Sequence, residues 1–208
     1  MLFVGYPSIK EGVVATEARL RRWLPKFFPV RRPSPFSQDG IAPYKEIVLV
    51  AHSLGGLVVR RAVTELLAEW AAQGQPSCSA ADARLALFSP ATAGFLPAGA
   101  LGAIAAAPFA DKFLLMLLHA SPAFNDLQQG SALLDNTRRR TEELASAHPE
   151  LKALRASTMW ANPEYVVQSE RYDCDPSPFV ADSQSHSSVC KPKHDYHEPF
   201  TFVETGRQ

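Results

Sequence analysis

Five successive apolar residues, Ile47 to Ala51, run directly into His52-Ser53-Leu54-Gly55-Gly56, and a helical pattern, "LVVRRAV", resumes at once. An unbroken apolar run of this length predicts a strand buried on both faces, the kind found in a parallel sheet covered by helices. Between the end of such a strand and the start of a helix there is room only for a sharp turn. Small residues at Ala51, Gly55 and Gly56 keep a turn of that kind free of clashes. Parallel neighbours cannot be joined by hairpins, so the rest of the chain must supply crossover helices.

The remaining pattern meets that demand. Strands are predicted at Leu2 to Val4, Glu46 to Ala51, Arg84 to Phe88, within Leu151 to Trp160, and near Phe179 to Ala181. Helices are predicted over Ile9 to Leu24, Gly55 to Ala72, Ala98 to Leu118 and Ala123 to Ala147, while the closing "EPFTFVETGRQ" reads as a helix or an edge piece. Five prolines between Pro25 and Pro43 mark a surface loop. Strands alternating with helices predict an α/β protein, with a mostly parallel sheet flanked by helices. With 208 residues and an apolar share of 46%, the chain is expected to form one domain over 1–208.

Charge and cysteine content narrow the function classes. Twenty-one basic residues balance twenty-one acidic ones, so neither nucleic acid nor an anionic membrane surface is implied as a partner. The basic runs at Arg19 to Arg22 and Arg138 to Arg140 read as solvated helix faces. Cys78, Cys174 and Cys190 are odd in number and lack CxxC spacing, which argues against a disulfide framework or a zinc site and fits a reducing compartment. The apolar stretch Phe95 to Ala120 is interrupted by Pro97, Pro108 and Asp111-Lys112, whereas a membrane span needs about 20 uninterrupted apolar residues. The N-terminal segment has no basic lead and no long apolar run, so a cytoplasmic location is expected.

Ser53 is the residue the turn presents. A serine hydroxyl is a weak nucleophile that needs an adjacent base, and the oxyanion formed when it attacks a carbonyl needs donors. A strained strand-to-helix turn meets both needs by lifting the hydroxyl above the sheet, and it aims the next backbone N–H, that of Leu54, at the oxyanion. The positive end of the following helix adds to that attraction. Adjacent residues of a strand point to opposite sides, so His52 reads as a packed or hydrogen-bonded turn residue rather than the base.

At this point the chain resembles the α/β-hydrolase superfamily, and within it the serine esterases and lipases that include the GPI inositol-deacylase-like proteins. "VLVAHSLGGLVVRRAV" is similar to the elbow, with Ala51 where glycine is more usual. "LFSPATAGF" resembles the segment after the next strand, and "SHSSVCKP" the C-terminal histidine motif, so the likeness runs from Phe3 to Val203. The family order is serine, acid, histidine. The resemblance therefore implies His186 as the base; His119 and His148 fall in or beside helical segments, and His194 and His197 in the polar run "KPKHDYHEP". It implies Glu164 as the acid, ahead of Tyr165-Val166-Val167 and in place of the more usual aspartate, with Asp173, Asp175 and Asp182 as competitors. Lys191 and Cys190 match the pattern in a positional role.

The family also draws a second oxyanion donor from a loop after an earlier strand, and that strand has no counterpart ahead of Glu46. Either "GYPS" lends an N–H or the chain is N-terminally shortened, and we favour the latter. Losing one such donor typically costs about a hundredfold to a thousandfold in turnover, and a missing central strand leaves its neighbours as open edges. The expected activity is cleavage of a carboxylic ester, a lipid or acyl ester, by Ser53, His186 and Glu164 without metal or organic cofactor. Residues 95–147 are expected to form a helical lid or cap. The alternative is an impaired remnant of the fold that serves as a binding module.

Overall fold

A computed structural model of the chain describes residue 5 and residues 11–26, 47–74, 83–96 and 123–206. Four strands, β1 (Val48–His52), β2 (Arg84–Phe88), β3 (Ser157–Asn162) and β4 (Phe179–Asp182), pair in the order β1-β2-β3-β4, and every pairing is parallel. The helices are α1 (Val13–Trp23), α2 (Leu54–Ala72), the single turn α3 (Ala123–Asp126), α4 (Ala132–Ala147) and α5 (Glu198–Thr205). The molecule is thus an α/β protein with a four-stranded parallel sheet flanked by helices. The expected strand at Leu2 to Val4, the loop from Pro25 to Pro43 beyond residue 26, the helix over Ala98 to Leu118, and the residues Cys78 and His119 lie outside the described residues.

Strand alternation divides the core. Leu85 and Leu87 of β2 face a layer with Ala62, Val63, Leu66 and Leu67 of α2, Ala145 of α4 and Leu154. Ala86 and Phe88 face the opposite layer, where Phe202 of α5 packs with Met159, Ala161 and Tyr196. Side chains two apart share a face, so one five-residue strand serves both layers. Each fully buried leucine in such a layer contributes about 1.5–3 kcal/mol relative to exposure.

The strand leading into Ser53 departs from its expectation. It begins at Val48 and extends to His52, and it is not buried on both faces: its residues are only partly covered, and Val50 is 50% exposed. Among the described residues β1 is an edge strand, paired on one side only. The helix expected over Ala123 to Ala147 is in two pieces, because Gly130 takes a φ of +75° and Ser131 caps α4 by accepting from the Leu134 N–H. The stretch after Leu151 opens with a 3-10 turn, Lys152–Leu154, and β3 starts only at Ser157.

Of the region expected to form a lid, α4 lies against α2: Thr64 and Thr141 hydroxyls hydrogen-bond at 2.9 Å, and Arg61 donates to Thr137. It is part of the crossover between β2 and β3, and residues 97–122 lie outside the described residues. A buried ion pair ties α2 to the long β3–β4 connection. Arg60, 2% exposed, reaches Asp175 at 2.5 Å and lies over the Tyr172 ring, while the other Asp175 oxygen accepts from the Ala156 N–H. Among the described residues no helix is long and apolar enough to cross a membrane.

Candidate active site

The register makes the C-terminal side of the sheet stepped. His52 lies level with Phe88, Phe88 with Met159 and Met159 with Phe179, but β3 and β4 continue until Asn162 pairs Asp182. The connections leaving β3 and β4 therefore rise above the end of β1, over Ser53. Open parallel sheets bind ligands at this side.

Ser53 joins β1 to α2 with φ 54° and ψ −127°. Side chains other than glycine avoid that region, at a cost on the order of 1–3 kcal/mol, unless the surroundings impose it. Here three backbone bonds do so: the Ser53 N–H donates to the Phe88 carbonyl, and the Ser53 carbonyl accepts from Gly56 and from Ala91, each at 3.0 Å. Pro90 lies so close to α2 that a Cβ on Gly56 would sit 2.5 Å from the proline Cβ. The N–H of Leu54 opens the helix, where first-turn donors have no intrahelical partner.

Glu164 and His186 meet over this turn. Glu164 follows a cis Asn162–Pro163 peptide at the end of β3, and its Oε1 accepts from the N–H groups of Val166 and Val167 at 2.9 and 3.3 Å. Nδ1 of His186 lies 3.0 Å from both carboxylate oxygens. Burial works to raise the Glu164 pKa, but the hydrogen bond and charge of His186, the Ser89 hydroxyl and the Val166 N–H outweigh it and hold the carboxyl below its ordinary value. An ionised carboxylate only accepts, so Nδ1 carries the proton and Nε2 presents its lone pair. His186 is fully buried, and its Nε2 has no hydrogen-bond partner among the described residues, the Ser53 hydroxyl included.

His52, the residue before Ser53, contacts His186. Its Nε2 lies 2.7 Å from the His186 carbonyl oxygen, and the two imidazole rings are 4.7 Å apart at 47°. Burial, then the neighbouring His186, lowers its pKa to about 4, with the hydrogen bond to His186 opposing. His52 is therefore neutral near pH 7 and hydrogen-bonded within the turn.

The structure brings His186 to Glu164 and to no other carboxylate considered in the sequence. Asp175 is held by Arg60, Asp182 accepts from Asn162, and the Asp173 N–H is bound by Glu142. His148 faces Glu150 beyond the end of α4, and His194 and His197 are exposed. Burial raises the Cys190 pKa, and Lys191 is exposed beside it.

Ser89 was not singled out by the sequence. It follows β2 with φ 34°, is fully buried, accepts from the Ala161 N–H at 3.0 Å and donates to Glu164. The available signal was its position, directly after a predicted strand and before a proline.

Fold and site together define an α/β protein whose buried polar residues gather at the C-terminal side of a parallel sheet. Comparison of the chain with protein-family models, with curated proteins and with solved structures gave no match.

Proposed function

We propose that the chain is a serine hydrolase of the α/β-hydrolase type that cleaves carboxylic esters. The observation that carries this reading is the imidazole of His186, bonded through Nδ1 to Glu164 at 3.0 Å, with its Nε2 buried and without a partner among the described residues, beside the strained turn of Ser53. A buried ring nitrogen without a partner is costly unless something occupies the space next to it. Catalytic hydrogen bonds are often long before substrate arrives, so an unformed bond to Ser53 fits a resting site.

In the proposed reaction Ser53 Oγ forms a bond to the acyl carbon as its proton passes to His186 Nε2. The carbonyl becomes an oxyanion near the Leu54 N–H, and Glu164 stabilises the imidazolium. Collapse expels the alcohol, which takes the proton from Nε2. A water then attacks the acyl-enzyme, giving its proton to the same nitrogen, and the acid leaves as Ser53 Oγ is reprotonated. The chemistry draws on no metal or organic cofactor. A lipid or other acyl ester is the proposed substrate class, on the resemblance of the elbow and histidine segments.

A short chromogenic acyl ester and a fluorophosphonate probe test the reading. Wild type is expected to show burst release and labelling at Ser53, and Ser53→Ala and His186→Ala to abolish both. An unlabelled wild type would instead support the binding module.

A further inference from the structure

The strands that lead to the base and to the nucleophile, β4 and β1, stand at the two ends of the described sheet order. His186 follows β4, Ser53 follows β1, and β2 and β3 lie between. Three strand spacings of about 4.8 Å put roughly 14 Å between the two ends, which the chain after Asp182 must cross. A loop that long needs an anchor at its far end, since a base misplaced by about 1 Å can cost a hundredfold in rate.

The near end of the crossing is tied down locally. Ser185 N–H donates to the Ser188 hydroxyl, and Ser188 donates to Gln184. Glu164, the other partner of His186, rises from β3 and fixes the ring about its Nδ1. Neither contact refers the loop to β1. The bond from His52 does: it joins a side chain adjacent to Ser53 to the main chain of His186 itself, at 2.7 Å, with the rings packed against each other.

We propose that His52 is a positioning residue that docks the loop carrying the base onto the strand carrying the nucleophile, by donating its Nε2–H to the His186 carbonyl. The inference rests on the hydrolase reading of the same site. The carbonyl is an acceptor only, so the ring must hold its proton on Nε2 and leave Nδ1 bare. Its burial keeps it neutral near pH 7, so the donated bond is a neutral one. Backbone anchoring sets where His186 stands, and Glu164 sets how its ring is turned. The two tasks are separate, so they fail separately.

Two substitutions divide the ring from the donor. His52→Phe keeps an aromatic ring and removes the N–H, whereas His52→Gln offers an amide N–H at similar reach. Fluorophosphonate labelling of Ser53 is expected to slow by about a hundredfold in His52→Phe, and kcat to fall with KM nearly unchanged, as a misplaced base requires. His52→Gln is expected to recover most of the rate, a rescue that loss of packing would not give. Labelling of His52→Phe at the wild-type rate overturns the inference, and so does a His52→Gln as slow as His52→Phe. If wild type is not labelled, the hydrolase reading falls instead. Amide exchange then decides the docking on its own: in His52→Phe it should rise across residues 183–191 and stay unchanged in α2, and a rise everywhere or nowhere counts against the anchor.

Discussion

Glu164 shows how much one carboxylate's surroundings decide. Of the four carboxylates weighed in the sequence, Glu164, Asp173, Asp175 and Asp182, only Glu164 has its oxygens at the ring, with two backbone N–H groups and a buried hydroxyl to hold them. Asp175, which is buried, is committed to Arg60, whose charge would otherwise stand unpaired in the core. Glu164→Gln retains the shape and loses the charge, and an amide can offer its N–H to Nδ1 and so favour the wrong tautomer. Turnover is expected to fall by about 10³–10⁴-fold with folding intact, as measured by ester hydrolysis and thermal melting. Asp175→Asn should spare most of the labelling at Ser53 while lowering stability, and the reverse pattern would reassign the acid. In the sequence Glu164 was preferred by the family likeness alone, with Asp173, Asp175 and Asp182 as competitors.

At the scale of elements, the elbow is held from outside as much as from within. The turn after β2 packs Pro90 on the first turn of α2, and the same turn donates the Ala91 N–H to the Ser53 carbonyl. Gly56 is small for that reason. Gly56→Ala would ordinarily favour a helix, but its Cβ would fall 2.5 Å from the proline Cβ and 3.1 Å from the Cα, both on a rigid ring. Overpacking of this kind typically costs about 1–3 kcal/mol, so denaturant unfolding should show a net loss. The displaced turn should also slow labelling of Ser53, and a variant as stable and reactive as wild type would contradict the packing. Strand and helix positions were largely readable here because periodicity reports which face of an element is covered. The exposure of Val50 was not, because an apolar run records what a strand could bury and not whether a neighbour arrives to cover it.

For the whole molecule, the buried site ties stability to pH. His52 has a folded pKa of about 4 against an ordinary 6.5, so between those values the unfolded chain binds a proton that the folded chain refuses. Its contribution is fully present above pH 6.5 and is lost as pH falls toward 4, for a total on the order of 3 kcal/mol. Glu164 acts in the same direction over a lower range, since its folded pKa lies below the ordinary 4.5. Glu17, whose pKa burial raises, opposes them. Urea unfolding from pH 7 to pH 4 should show wild type losing stability more steeply than His52→Gln, and parallel curves would count against a buried neutral His52.

The sequence alone determined the alternation of strands and helices, hence a parallel α/β sheet, and it marked Ser53, because a turn between an apolar strand and a helix must be sharp and small-sided. Those are local demands that neighbouring residues satisfy among themselves. Only the tertiary structure decided which carboxylate meets His186, that Ser89 supports it, and that His52 reaches the His186 carbonyl. Each of these joins residues from strands whose order and register are set by packing across the sheet, and no local pattern encodes that alignment.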